Sequence, residues 1–565
     1  MEYGFARKDI TAFEPGMLML GWAAPQNRVD GVATRLYARA LVVRDPTTGR
    51  KAAFCCADLC FITFIIRRGV LAGLDPALEF GPHNVMLTAT HTHSGPAGIS
   101  EFPFYNALNF GFSRVVYDAV VSGIGGAISE ANARLRPGRG SLVDVPLAPR
   151  IPIAFNRSLA AHNENRDVDP VRDPAKAIDR TMKVLRVDGP EGLRGMVSWF
   201  AVHPTNVHSE NRLLHSDNKG VAATTMEHRF RARDGVSSDF VALFAQRSLG
   251  DVSPNFRWHP ARKRRIGIHE DDFRSAEANA ELHIEAAREG LELAKRAGVV
   301  LRGPIEGRTE HHDLGDIEVD PRFADGKPAR RTRRASYGLG MAVGTDEGPG
   351  PLYGAHPWIR ATARLRRGRR DDPQLPLVQT GLGVEGRLLG LIPNRQGLAL
   401  GHVDAGIDFL RVTYRRGTID GRPWTPQVLP LQLLRIGPLA VVGVPAEPTT
   451  QAGRRLARDL QAELGLSEVI VNGCANAYVS YVTTFEEYQL QGYEGASTHF
   501  GPFTLAAIRT LFRAIAQRDR NLPVDAEVFG TPPLETSLAE LDARRVSGED
   551  ARRRKRLMSG ALSGA

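Results

Sequence analysis

Two histidines stand two residues apart in His91-Thr92-His93-Ser94-Gly95-Pro96, at the end of the apolar run Asn84 to Ala89. On an extended segment both side chains point to one side. Two imidazoles on one side, with no local acid to pair them, are either part of a metal site or a pair hydrogen-bonded within a turn. His203, in His203-Pro204-Thr205-Asn206, reads by itself as a core or loop residue. Glu447 ends another apolar run, where a carboxylate entering a buried region needs a cation or hydrogen-bond donors. Two neutral imidazoles and a carboxylate, with one position left for water, make a catalytic zinc set. Gly250-Asp251-Val252-Ser253-Pro254-Asn255 lies at a strand-to-loop junction. It has the placement of a nucleophile elbow without the Gly-x-Ser-x-Gly sequence, and it also reads as a tight turn in which Asp and Asn cap backbone groups. Arg157 and Lys219 are either anion clamps or surface residues. Tyr478, Tyr481, Tyr488 and Tyr493 crowd into sixteen residues of a chain with only 11 tyrosines. They line a binding site or pack a core.

These residues share a setting: an apolar strand ends and polar residues follow at once. Open α/β sheets bind ligands beyond the carboxyl ends of their strands, so segments remote in sequence can meet at one mouth. Strands are expected at 35–43, in the apolar run 52–66, and at 84–89, 195–202, 240–244, 439–444 and 469–471. Helices are expected following the run 52–66, at 113–135 and 275–297, and after 450 to about 464. No internal repeat is visible. The fold class is α/β, a large mixed-sheet domain with helices around it. Residues 302–425, rich in Gly, Pro and Arg, are expected to form an inserted β- and loop-rich elaboration. The domain is expected to span 1–520, with 521–565 a polar, basic, flexible tail.

The 565 residues are 42% hydrophobic and 24% charged, a globular composition that excludes a coiled coil, a collagen-like chain and a small disulfide scaffold. No apolar run is long enough for a membrane span. Met1 to Lys8 has no apolar core of a signal peptide, so a cytoplasmic location is expected. Cys55, Cys56, Cys60 and Cys474 read as buried thiols in a reducing compartment. The net charge is +10, concentrated in runs at 262–265, 330–334, 366–370 and 552–556. No finger or RNP-type motif accompanies them, so nucleic acid is not expected as a partner. Solvated loops, with some attraction to anionic surfaces, are.

In combination the segments resemble the neutral (non-lysosomal) ceramidases. His91 to Pro96, Gly250 to Asn255 and Tyr493-Glu494-Gly495-Ala496-Ser497-Thr498 are similar to that family's signature blocks. Supporting blocks occur in family order: Asn156-Arg157-Ser158, His203-Pro204-Thr205, Asp217-Asn218-Lys219-Gly220, Gly344 to Gly350, Glu447 with Thr449-Thr450, and Tyr481 to Tyr488. The resemblance implies a zinc amidohydrolase that splits ceramide into sphingosine and a fatty acid, with one zinc ion per chain. It implies His91, His203, Glu447 and a tyrosine as ligands, Tyr481 first and Tyr478 as the alternative. It places His93, Arg157 and Tyr493 around the scissile amide. It makes Ser253 the counterpart of the residue described as the nucleophile, in competition with zinc-bound hydroxide. The expected partner is a lipid amide, with contact to a membrane surface. The family's further C-terminal β-sandwich is not expected, because the chain stops about 50 residues after the last block. Pro448 stands where a Phe often follows the zinc Glu. A second reading keeps the zinc and changes the substrate to another N-acyl lipid, amide or ester. A third is a non-catalytic anionic-surface binding protein on the same scaffold.

Overall fold

The computed structural model describes residues 1–106, 109, 111–367, 371–380, 387–388, 392–393, 423–518, 529–531 and 533–545. Its centre is three five-stranded mixed sheets. In the first, Val85–Ala89 pairs in parallel with Lys51–Ala57, which continues antiparallel to Tyr37–Arg44 and Glu2–Asp9. In the second, Val236–Ala245 is parallel to Gly192–Trp199, followed by antiparallel Thr181–Gly189 and Arg139–Pro146. In the third, Glu468–Asn472 is parallel to Leu439–Gly443, followed by antiparallel Val428–Ile436 and Ile305–Asp313.

One chain path is thus traced three times: a hairpin, a crossover helix, a parallel strand and a second helix. The crossover helices are Phe64–Gly73, Asp217–Arg231 and Thr450–Leu464, and the following helices are Arg114–Ala133, Asp272–Ala297 and Thr504–Gln517. The sequence shows no repeat, because what recurs is topology and burial pattern rather than residue identity. Parallel strands covered on both faces need only continuous apolar runs, and Val85–Ala89 and Leu439–Gly443 are buried throughout. The inner faces of all three sheets meet in one core that includes Phe5, Phe54, Trp199, Leu243, Leu434 and Ile470. The outer faces pack against the helices in three further clusters. The α/β expectation therefore holds, as three sheets around one centre.

Local signals start the helices where the fold needs them. Thr63, Ser113, Asp271 and Thr449 each cap a helix by accepting from the backbone N–H three residues on. Met1 to Lys8, read above only as lacking a leader, contributes the strand Glu2–Asp9.

Two expectations change. Residues 302–425 are not only a β-rich elaboration: Ile305–Asp313 is a full strand of the third sheet, and His356–Arg367 is a helix. Most of this region after 380 lies outside the described residues. The segment after 520 is not simply a flexible tail. Phe529–Gly530 adds to the third sheet beside Glu310 and His311. The helix Leu538–Arg544 buries Leu541 against the first sheet's helical layer, and Arg544 donates to the Glu101 carbonyl. Apolar burial at a single leucine was too sparse a periodic signal to read in advance. Among the described residues no helix is long and apolar enough to cross a membrane.

Candidate active site

The carboxyl ends of the three parallel pairs point into one region. Beyond Val85–Ala89 the chain turns at His91, whose φ of 75° puts a non-glycine residue in the left-handed region. Such backbone costs about 1–3 kcal/mol and persists where the surroundings fix it. Beyond Gly192–Trp199 comes His203, whose N–H donates to the Val252 carbonyl. Beyond Leu439–Gly443 comes Glu447, paired in parallel with Tyr481. Ligand atoms of His91, His203 and Glu447 all lie within 4.8 Å of one another, and the three residues are buried.

Both imidazoles are oriented from behind. His91 Nδ1 is 2.6 Å from the Cys60 carbonyl and His203 Nδ1 is 2.9 Å from the Val252 carbonyl. A carbonyl accepts only, so each Nδ1 carries the proton and each Nε2 presents a lone pair. Those Nε2 atoms face Glu447, 3.4 Å from Oε1 and 3.0 Å from Oε2. His203 Nε2 and Glu447 Oε2 have no hydrogen-bond partner despite full burial. Two lone pairs aimed at a buried carboxylate repel unless a cation stands between them. A tetrahedral ion about 2.0–2.1 Å from its ligands sets neighbouring ligand atoms about 3.3 Å apart, close to the spacings seen. The residues therefore fit a divalent metal ion. Burial opposes charge on Glu447, yet the two histidines hold its carboxyl well below the usual range. Burial likewise opposes charge on His91; where no cation stands between them, Glu447 outweighs it and raises the imidazole, so that a proton on Nε2 would take the ion's place.

His93 comes from the same turn. Its Nε2 is 3.2 Å from His91 Nε2, its Nδ1 has no partner, and its ring meets Trp22 edge-on at 5.1 Å. Burial, then the neighbouring His91 and His203, keep it well below the ordinary imidazole range, so it is neutral. Gly21 backs the ring: a Cβ there would come within 2.4 Å of it, at a φ of +124° that also favours glycine. Tyr478 donates to Glu447 Oε1 at 2.5 Å and stacks on Phe61. The Tyr481 hydroxyl accepts from Arg157 at 3.0 Å, and its ring meets Tyr493 edge-on.

The Arg157 side chain is buried between two carboxylates, 2.7 Å from Glu347 Oε1 and 2.9 Å from Glu494 Oε1. It also donates to the Gly250 carbonyl and to the Tyr481 hydroxyl. Four of its five N–H groups are thus engaged. The other oxygen of Glu347 accepts from Ser253, Thr205 and Asn255. Burial would raise the Glu347 pKa, and Arg157 followed by His203 brings it down to about 2. Ser253 is fully buried, donates to Glu347 at 2.6 Å and accepts from the Asn255 N–H. Its acceptor here, the Glu347 carboxylate, is a weak base at a pKa held to about 2. Lys219 is no anion clamp. It is fully buried, its Nζ donates to the carbonyls of Phe200 and Ala245 at the ends of the second sheet's parallel strands, and burial lowers its pKa to about 7.

A cavity of about 160 Å³ opens on this centre, lined by His91, His93, Glu447, Tyr478, Tyr481 and Tyr493 and walled by apolar residues such as Phe61, Phe104, Tyr105 and Met341. A neighbouring cavity of about 200 Å³ is more polar and shares Tyr493 with it; Arg157, Glu494, Asp346 and Arg360 line it. All four cysteines are buried and unpaired; Cys474 and Cys60 approach His91 Nδ1 at 3.5 and 4.0 Å. Glu347 and Glu494 went unassigned in the sequence, although both sit in blocks quoted above. The available signal was a carboxylate next to glycines in each block. A third buried group, His162, Asp251 and Glu487, is largely absorbed in hydrogen bonds to Thr449, Thr450, Thr484, Asn156 and Asn165.

The N-terminal part of the neutral/alkaline non-lysosomal ceramidases matches this chain over residues 2–356 and 412–510. The chain is 36% identical over 542 residues to the neutral ceramidase of Pseudomonas aeruginosa, covering 93% of this chain and 73% of that protein. It is 32% identical over 532 residues to the neutral ceramidase of Mycobacterium tuberculosis, covering 91% and 76%. A solved ceramidase complexed with C2 superimposes with a TM-score of 0.77 at 34% identity, over 94% of this chain and 77% of that one.

Proposed function

Because the chain belongs to the neutral/alkaline non-lysosomal ceramidase family, we propose that it is an amidohydrolase that cleaves N-acylsphingosine to sphingosine and a fatty acid, with one zinc ion held by His91, His203, Glu447 and Tyr481. The observation that carries this reading is the meeting of two imidazoles and a carboxylate from three separate sheets within 4.8 Å. Bound there, zinc would supply Lewis acidity toward the amide carbonyl and lower the pKa of a water towards 7.

The rest of the work falls to the chain. Cys60 and Val252 carbonyls fix the tautomers of His91 and His203. Tyr478 donates to Glu447 and steadies that carboxylate, and Tyr481, which lines the same cavity, is taken as the tyrosine ligand. Arg157 donates into the Tyr481 oxygen, so the phenol's own proton points elsewhere. Tyr493, a neutral phenol whose pKa burial raises to about 12, lines the cavity as an oxyanion donor. Such a donor is typically worth about 3 kcal/mol in turnover. Arg157 has one uncommitted N–H to add. Water attacks the carbonyl carbon, the C–N bond breaks, and the departing nitrogen needs a proton. The neutral His93, lining the same cavity, is placed to take the proton that the attacking water gives up and to hand it to that nitrogen. Ser253 is not the nucleophile in this reading. Its hydroxyl proton goes to Glu347, and it helps to position Glu347 and through it Arg157.

Fatty-acid release measured from ceramide and from N-acyl amino acids, with and without chelator, tests the proposal. Chelator-sensitive release preferring ceramide supports it. Equal or greater release from the other amides would shift the substrate class, and release unaffected by chelation would refute the metal.

A further inference from the structure

Nine large apolar residues are exposed among those described, and four of them, Trp258, Leu352, Trp358 and Leu365, lie on or beside two elements that Asp346 ties together. Trp358 is 60% and Leu365 76% exposed. Trp258 sits on the small hairpin formed by Arg257–His259 and Arg264–Ile266. Leu352 precedes the helix His356–Arg367, which carries Trp358 and Leu365. Asp346 joins the two elements. Its backbone and carboxylate oxygens accept from Arg265 of the hairpin, and its carboxylate accepts from the Tyr353 hydroxyl just before the helix.

The helix is apolar on two sides. Ile359 and Ala363 are buried against the body of the protein, whereas Trp358, Ala361 and Leu365 form an outward stripe at helical spacing. A soluble surface rarely leaves such a stripe bare. Part of the neighbouring positive charge is paired, Arg264 with Glu210, Arg265 with Asp346 and Arg262 with Asp272, but the two elements are themselves rich in cations. The helix sequence contains Arg360, Arg364, Arg366 and Arg367 and no acid; the stretch 257–268 contains four arginines and a lysine and no acid. Arg257 and Lys263 are exposed. Tryptophan beside cationic side chains is the composition that seats a protein at the headgroup level of an anionic leaflet. Asp346, Tyr353, His356 and Arg360 also line the cavity that holds Arg157 and Tyr493. The apolar corner therefore forms the rim of the active-site region.

We propose that this corner docks on the surface of an anionic phospholipid bilayer, presenting the adjoining cavity to the membrane. The proposal rests on the reading that the substrate is a membrane lipid. It is tested with the full chain by co-sedimentation with vesicles of phosphatidylcholine alone or mixed with phosphatidylserine, following tryptophan emission. Of the five tryptophans, Trp199 and Trp424 are buried and Trp22 is half-buried, so a blue shift on binding reports mainly Trp258 and Trp358. Wild type is expected to prefer the anionic vesicles. The double variant Trp358→Ser/Leu365→Ser is expected to partition about tenfold more weakly or worse, with a reduced blue shift. Turnover of a short-chain N-acyl substrate in detergent should stay unchanged, because neither residue lies at the site. Equal partitioning of both proteins, no preference for anionic lipid, or loss of a dimer in the variant would overturn the proposal; the last would mean that a second copy covers the face. Vesicle binding by wild type without any turnover would refute the amidase reading while supporting the docking face.

Discussion

Glu347→Gln tests whether Glu347 holds Arg157 and Ser253 in place. Glu347 gives one oxygen to Arg157 and the other to Ser253, Thr205 and Asn255. A glutamine has the same shape, but its NH₂ must face either the arginine or three donors. Either orientation loses at least one charge-assisted hydrogen bond and creates a donor-to-donor contact, and Arg157 keeps only Glu494 as an ionic partner. Breaking a buried pair costs about 3–5 kcal/mol; the surviving Glu494 puts the expectation near 3. The pKa leads to the same figure. Moving from the ordinary 4.5 to about 2 makes the ionised carboxylate worth about 3 kcal/mol to the fold. The folded pKa is depressed, so this stability is fully present above about pH 4.5 and is lost as pH falls towards 2. Denaturant unfolding of wild type should therefore weaken through that window more than unfolding of the variant. At neutral pH the variant should be about 3 kcal/mol less stable, with kcat down roughly 10- to 100-fold as Arg157 and Tyr481 loosen, and with metal content unchanged. A variant within about 1 kcal/mol of wild type that turns over normally would refute the role given to Glu347.

Ser253→Ala is expected to cost about 2 kcal/mol of stability and part of the turnover. Rapidly quenched wild-type enzyme should show no acyl group on Ser253 by mass spectrometry, and an acyl-serine there would make it the nucleophile after all. A chain ended after Arg520 is expected to melt a few degrees lower, since it loses the buried Leu541 and the Arg544 contact to Glu101, about 2 kcal/mol for the leucine alone. An unchanged melting temperature would show that the docked C-terminal helix adds nothing.

Much of the sheet framework was legible because its parallel strands are buried on both faces and read as unbroken apolar runs. His91, His203 and Glu447 were legible because each follows directly on such a run. The helix Asp217–Arg231 was not, because it opens with Asp217 at a φ of 51° and buries Asn218 and Lys219, polar residues that periodicity assigns to a surface. The role of Glu347 was hidden for a different reason. It depends on Arg157, 190 residues away, and neither residue carries a local pattern that names the other. The threefold chain path was invisible because apolar residues substitute freely for one another in a core while preserving the topology.

The central claim is that His91, His203 and Glu447 hold one catalytic metal ion, and elemental analysis of purified full chain beside matched activity tests it most directly. The account predicts one zinc per chain in wild type. Substitution of any one of the three by alanine should lower zinc and turnover together, and exhaustive chelation should abolish activity until zinc is returned. Unchanged zinc in all three variants, or full activity after chelation, would contradict it.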